Sequence, residues 1–221
     1  MSVVESGEAG ALAIRGGMIR AGAYVVSSLL ALISVPFMTR HLGRVDYGYY
    51  ATVSSLLFIL VGLTEAGLTA LGIREYTVRR GADREGLLRN LLGLRLLITG
   101  AGVGLAVAFA ALTGRPSAIV AGAAIMGLGM LLTLTQQTYA IPLSAELRLG
   151  WVSALEVIKQ VVLSGGAVLM VVLGAGLLSF FWVVVAAGTV MLVLTLVLLR
   201  EEAWLKPAFD PAVWRSILRQ T

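Results

Sequence analysis

Few side chains in this sequence could do chemistry, and one of them interrupts an apolar run. Glu65 separates two uncharged stretches, residues 47–64 and 66–73. A carboxylate in apolar surroundings is costly unless it is neutral, paired or hydrated. Glu65 could therefore respond to protonation, bind a cation or contact a polar ligand. In the alternative, it pairs with backbone groups or with a basic side chain such as Arg74, and its role is structural.

A second ionisable group consists of Glu156 and Lys159, which stand three residues apart. On a helix this spacing brings both side chains to one face, where a carboxylate and an ammonium group can form an ion pair. Pairing reduces the cost of burying the two charges and favours a structural role. In the alternative, Lys159 faces a cavity and attracts an anion.

Uncharged polar side chains are densest shortly before residue 140. The cluster comprises Gln136, Gln137, Thr138 and Tyr139, and it is preceded by Thr133 and Thr135. Amide and hydroxyl groups can bind a polar ligand. They can equally form hydrogen bonds between helices, which contribute about 0.6 kcal/mol on average inside a membrane.

The elements that must position these groups are membrane-spanning helices. Of the 221 residues, 58% are apolar and only 13% are charged, whereas about a quarter of the residues in a soluble domain are charged. One crossing needs about 20 mostly apolar residues, because unsatisfied backbone groups are costly in hydrocarbon. Residues 160–199 carry no charge and are long enough for about two crossings, so residues 174–176 must form a hairpin.

The uncharged runs predict an all-α, polytopic membrane protein with six transmembrane helices. A bundle over residues 1–199 is followed by a cytoplasmic interfacial tail, 200–221, in which Asp210 and Pro211 favour a helix start. The same tail could begin another span in a longer protein. The predicted spans are 19–39, 47–73, 92–113, 118–142, 151–173 and 177–199.

The distribution of basic residues predicts the orientation of the chain. With a cytoplasmic N-terminus, fourteen of the 17 Lys and Arg lie on the cytoplasmic side and three, Arg40, Arg44 and Arg115, lie outside. By the positive-inside rule, both termini are therefore cytoplasmic. The inner loop, 74–90, is expected to be a solvated loop or short interfacial helix, or to contact anionic lipid headgroups. The first span is expected to be retained, since Glu5 and Glu8 precede it where a signal peptide would be basic.

Four segments carry patterns that can be compared with known families. Residues 40–50 read R-x-L-G-x-x-x-Y-G-x-Y, and residues 65–75 hold an acidic-x-Gly-Leu element and an Arg-acidic element. Residues 136–148 place a polar stretch before an acidic-x-basic loop, and residues 209–215 read FDPAVWR. In order and spacing, these segments resemble the amino-terminal half of bacterial oligosaccharide flippases of the multidrug/oligosaccharidyl-lipid/polysaccharide exporter superfamily.

The resemblance implies a transporter of the cell membrane that serves polysaccharide biosynthesis, lipopolysaccharide included. Such a flippase moves undecaprenyl-pyrophosphate-linked oligosaccharide from the inner to the outer leaflet by alternating access between two bundles. Since these families have about twelve to fourteen spans, a carboxy-terminal half or a second chain is expected to complete this one. The implied partners are membrane lipids and the lipid-linked oligosaccharide, without nucleic acid and without a cofactor.

The resemblance also gives the polar groups candidate roles in substrate binding. Arginines at the predicted inner face could hold pyrophosphate through bidentate hydrogen bonds, although most arginines near a membrane surface are snorkelling anchors. The amides and hydroxyls of the polar cluster offer a surface for a glycan. The candidate substrate-binding residues are Glu65, Arg74, Arg20, Arg95, Gln136, Gln137, Tyr139 and Lys159.

Other functional classes fit the sequence less well. An enzyme acting on polyprenyl lipids would normally expose paired carboxylates, whereas the loop acids here are interspersed with bases, so we expect no enzymatic activity. With no Cys and a single histidine, His41, a metal centre is not expected. A drug or cation exporter of the same superfamily and a six-helix membrane partner without transport activity remain the alternatives.

Overall fold

In a computed structural model of the chain, the described backbone comprises residues 3–65, 67–146, 148–199, 206–211, 213 and 214. Within these ranges, all side chains are described except those of residues 3–16, 19, 20, 63, 64 and 149. All regular secondary structure of the described residues is α-helical, which confirms the predicted all-α class. The helices are α1 (Val3–Glu65), α2 (Leu68–Val78), α3 (Ala82–Leu112), α4 (Ser117–Tyr139), α5 (Ile141–Ala145), α6 (Leu149–Val172) and α7 (Leu177–Leu199).

Five helices in the described part of the chain are long and apolar enough to cross a membrane. The apolar part of α1, Ala21–Gly62, has 42 residues, about twice the length of one crossing. Gly43, with φ 70° and ψ −174°, is not helical and divides α1 into a first arm, 3–42, and a second arm, 44–65. Glycine suits this turn because it adopts positive φ without steric cost. The five long helices therefore correspond approximately to the six predicted spans.

Three tight connections lie at one end of the bundle. These connections are Gly43, residues 113–116 and residues 173–176. His41 Nε2 lies 2.9 Å from the carbonyl oxygen of Ala175, which ties the turn of α1 to the hairpin between α6 and α7. We call this end the short-turn end. We call the opposite end the basic end, because it carries Arg74, Arg79, Arg80, Arg84 and Arg148.

Small residues let α4 and α7 pack closely along their length. A Cβ atom added to Gly122 would lie 2.4 Å from the ring of Phe181, and one added to Gly129 would lie 2.9 Å from the backbone of Val184. Gly188 faces α4 in the same way, since its Cβ would lie 2.9 Å from the Gly129 carbonyl oxygen. This contact aligns the start of α4 with the start of α7 at the short-turn end.

The second span, predicted over 47–73, is not one continuous helix. α1 ends at Glu65, and α2 begins at Leu68 after Gly67, whose φ is 84°. Glu65 Oε1 accepts a hydrogen bond from the Thr69 backbone N–H at 3.2 Å, so the carboxylate satisfies one of the free donors in the first turn of α2. Residues 74–90, for which a solvated loop or a short interfacial helix was expected, are mostly helical, because α2 continues to Val78 and α3 already begins at Ala82.

The described tail residues dock on α3, a contact that the sequence does not predict. The Ala208 N–H donates to the Arg89 carbonyl oxygen at 2.9 Å, and Arg89 Nε donates to the Lys206 carbonyl oxygen at 3.0 Å. Asn90 receives two further hydrogen bonds, from the Asp210 N–H to its Oδ1 and from the indole N–H of Trp214 to its main-chain oxygen. A Cβ on Gly93 would lie 2.1 Å from the Ala208 carbonyl oxygen.

This contact predicts that Gly93→Ala releases the tail from α3. The methyl group cannot fit against the Ala208 backbone, so the amides of Ala208 and Asp210, which donate to α3, should exchange with deuterium roughly tenfold faster, which corresponds to about 1.4 kcal/mol. Hydrogen exchange read by mass spectrometry measures the rate. Gly86→Ala is the matched control, since a Cβ at Gly86 would meet no atom within 4 Å. Unchanged exchange in Gly93→Ala would contradict the described docking.

Candidate functional site

A cavity of about 540 Å³ opens between α1, α4, α6 and α7. Both arms of α1 line it, the first arm through residues such as Ser34 and Met38 and the second arm through residues such as Tyr47 and Phe58. Because both arms border one cavity, the chain reverses direction at Gly43. The polar residues that line the cavity are Ser34, Tyr47, Tyr50, Thr133, Gln137, Lys159, Gln160 and Ser164.

Lys159 is the only charged residue among the described residues that line this cavity. The expected ion pair between Glu156 and Lys159 is absent, since no carboxylate of the described residues lies within 4.0 Å of the Lys159 ammonium group. Thirteen residues separate Lys159 from the end of α6 at Val172, which places it about 20 Å from the short-turn end. A cation at this depth is costly unless water or an anion solvates it. The geometry therefore indicates a hydrated or anion-binding cavity.

The polar cluster at the end of α4 is divided among several faces of the helix. Gln137 lines the cavity. The other three point elsewhere: Gln136 donates to Thr195 Oγ1 at 3.0 Å, Thr138 accepts from Arg95 at 3.0 Å, and Tyr139 packs in the apolar core with Leu91. Consecutive residues of a helix are about 100° apart, so four of them cannot share one surface. Gln136 thus forms a hydrogen bond between α4 and α7, as in the alternative to ligand binding.

Glu65 belongs to a second polar site at the basic end. Its Oε1 lies 2.9 Å from an Arg95 nitrogen, and the Thr69 hydroxyl contacts both partners. The same guanidinium group donates to Thr138 Oγ1. The Arg95 side chain is only 3% exposed, whereas that of Glu65 is 28% exposed. The structural partner of Glu65 is therefore Arg95 and not Arg74, which is exposed beyond the helix break.

This second site links four elements and leaves two buried polar atoms unused. It joins the end of α1 to α2, α3 and α4 through Glu65, Thr69, Arg95 and Thr138. Among the described residues, neither Glu65 Oε2 nor Arg95 Nε has a hydrogen-bond partner. Arg95 is therefore fully enclosed and does not present a charge at the mouth of the cavity. The side chain of Arg20, the remaining candidate, lies outside the described residues.

Several cavity residues were missed from the sequence. Tyr47 and Tyr50 belong to the R-x-L-G-x-x-x-Y-G-x-Y pattern, which signalled a family but not a place in the fold. Gln160 Nε2 donates to Ser164 Oγ at 2.8 Å, and both side chains line the cavity beside Lys159. Helical spacing from Lys159 (i+1 and i+5) is too common to have distinguished them.

The fold defines a polytopic membrane protein whose helical bundle encloses a mostly apolar cavity with a few polar side chains. A model of the polysaccharide biosynthesis protein family matches residues 13–221, so the chain belongs to that family, which includes O-antigen flippases. This membership confirms the resemblance that the four segments indicated. It makes the chain a multi-pass, polysaccharide-related membrane protein of a family whose members are generally transporters. No curated protein and no solved structure matches the chain.

Proposed function

We propose that this chain forms the amino-terminal half of a flippase of the cell membrane. Its cargo is undecaprenyl-pyrophosphate-linked oligosaccharide, which it moves from the inner to the outer leaflet with both termini in the cytoplasm. A carboxy-terminal half or a second chain supplies the other bundle. Movement of the two bundles against each other opens the cavity first to the inner and then to the outer leaflet. No covalent step is involved, so the protein is not an enzyme.

The observation that carries this proposal is a cavity within the bundle that holds one basic and several uncharged polar side chains. Lys159 offers one positive charge to a pyrophosphate group, and Gln137 and Gln160 offer amides that can bind phosphate oxygens or sugar hydroxyls. The remaining lining is mostly apolar, as is usual for a ligand cavity with a few orienting polar groups. An undecaprenyl chain needs no such cavity, since it can stay in the bilayer.

Among the candidate binding residues, geometry favours Lys159 and Gln137. Both line the cavity, whereas Gln136, Tyr139, Glu65 and Arg95 have packing or hydrogen-bond partners outside it. Arg74 is exposed at the basic end. There it could contact headgroups at the membrane surface or receive an approaching pyrophosphate.

The cavity charge also separates the proposal from its nearest alternative. A drug or cation exporter would need an acidic group in its cavity to attract a cation, but the only charged side chain of the described lining is Lys159. Like charges repel, so a cationic cargo is disfavoured. A six-helix partner without transport activity would have no need for a basic side chain in a cavity at this depth.

Reconstitution of the full-length protein in vesicles tests the proposal. The substrate is a lipid-linked oligosaccharide whose glycan carries a fluorophore that a membrane-impermeant reductant bleaches. Flipping brings the labelled lipid of the inner leaflet to the outer leaflet, where the reductant bleaches it. In protein-free vesicles, the label of the inner leaflet stays protected. Reading the coding region downstream for six more spans is an independent check. Equal protection with and without protein would contradict transport and favour the partner role.

A further inference from the structure

Three aromatic rings form a near-parallel run at the short-turn end of the cavity. The rings of Tyr47 and Tyr50 are 6.4 Å apart with an interplanar angle of 24°, and those of Tyr50 and Phe181 are 5.4 Å apart at 18°. The two tyrosines stand one turn apart on the second arm of α1, directly after Gly43. They are the two tyrosines of the R-x-L-G-x-x-x-Y-G-x-Y pattern, to which the proposed function assigns no role.

The run is anchored in the core at one end and borders the cavity at the other. Phe181 is wholly buried, with 0% exposure, and it packs against Gly122, where any side chain would collide with its ring. Tyr47 and Tyr50 are half-buried and line the cavity together with Phe180. The position of the tyrosine rings is therefore fixed by the interior, and the run presents aromatic surface to the cavity.

The aromatic run and Lys159 mark two chemically different ends of one cavity. Tyr47 and Tyr50 stand four and seven residues after Gly43, and Lys159 stands thirteen residues before the end of α6. Because Gly43 and the end of α6 both lie at the short-turn end, the difference of six to nine residues places the tyrosines about 9–14 Å from Lys159 along the bundle axis. That separation is the length of a short oligosaccharide.

We propose that Tyr47 and Tyr50 form a binding platform for a sugar ring of the glycan, separate from the site for its pyrophosphate. This inference rests on the proposed function. It assigns the pyrophosphate to Lys159 at one end of the cavity and a distal sugar to the tyrosines at the other end. The C–H face of a pyranose ring carries partial positive charge, which suits the negative face of an aromatic ring. Ser34 lines the same cavity, and its hydroxyl oxygen can accept a hydrogen bond from the sugar edge.

The test compares two lipids that differ only in the glycan. Binding of the full-length protein is measured to undecaprenyl pyrophosphate and to the lipid-linked oligosaccharides extracted from the cells that make the protein. Tyr47→Leu should weaken binding of the glycan-bearing lipid between about 2-fold and about 10-fold, the range that one aromatic contact contributes. Binding of undecaprenyl pyrophosphate should not change, and Tyr47→Phe, which keeps the ring, should bind both lipids like the wild type.

Each other outcome overturns the platform. Equal weakening of both lipids by Tyr47→Leu would indicate general damage to the cavity, and unchanged binding of both would remove the tyrosine from the site. A wild type that binds the two lipids with equal affinity would show that the glycan contributes nothing. Failure of flipping alone has a different meaning. If the wild type does not flip the lipid but Tyr47→Leu still weakens binding of the glycan-bearing lipid only, transport is refuted while the platform stands.

Discussion

Replacement of Lys159 by glutamine is expected to slow flipping of lipid-linked oligosaccharide roughly 10- to 100-fold, with Lys159→Glu slower still. The ammonium group is the only charge in the described cavity lining, and a hydrogen bond to a charged group contributes about 1.5–3 kcal/mol, which converts to that range of affinity. Glutamic acid adds repulsion between two anions. The bleaching assay in vesicles measures the rate.

Two variants make the test of Lys159 specific. Lys159→Arg keeps the charge and should retain most of the flipping rate. Lys206→Gln removes the same charge from an exposed tail position outside the cavity and should leave the rate unchanged. If Lys159→Gln flips at the wild-type rate, or if Lys206→Gln is equally slow, the cavity does not bind the pyrophosphate through this residue.

Removal of Glu65 is expected to destabilise the protein more than removal of Arg95. Glu65→Leu leaves a guanidinium group that is only 3% exposed without a counter-charge, which costs about 3–5 kcal/mol for a buried pair. Arg95→Met leaves a carboxylate that is 28% exposed and can still be hydrated, so its cost should be smaller. Denaturant-induced or thermal unfolding in detergent measures both.

The double variant Glu65→Leu/Arg95→Met separates an ion pair from independent contributions. It should be more stable than Glu65→Leu alone, because the second substitution removes the charge that the first leaves unpaired. Glu75→Leu is a control, since its partner Arg79, at 3.2 Å, has a side chain that is 31% exposed against 3% for Arg95. The guanidinium group left behind stays hydrated, so the loss should be about 0–1 kcal/mol, the range for exposed pairs. Additive losses in the double variant would contradict a coupled pair.

Much of the fold can be predicted from the lengths of the apolar runs, whereas the positions at which the helices break cannot. Hydropathy counts residues that tolerate hydrocarbon, so it located the hairpin at 174–176 and the class of the protein. It could not show that the chain turns on the single residue Gly43 or that the second span ends at Glu65. Those features depend on backbone angles of Gly43 and Gly67 and on tertiary partners such as Arg95.

The candidate site was only partly predictable for a similar reason. The sequence identified Lys159 and Gln137 as polar groups in apolar runs, but polarity does not say which helix face meets a cavity. The sequence suggested Arg74 as a partner of Glu65 and could not identify Arg95, because Arg95 lies 30 residues away along the chain. Tyr47 and Tyr50 belong to a family pattern, yet their stacking toward Phe181 becomes visible only when α1 and α7 are packed together.

Hydration of the cavity at mid-depth is the central requirement, and thiol labelling measures it directly. The chain has no native cysteine, so single cysteines report without background. Leu163→Cys lies on the cavity lining, and Val161→Cys lies two residues away on an exposed face of α6 at nearly the same depth. A thiol reacts as its thiolate, which requires water. A membrane-impermeant maleimide, applied to inside-out or to right-side-out vesicles, should label Leu163→Cys and should not label Val161→Cys. Absence of labelling of Leu163→Cys from both sides would contradict a hydrated cavity.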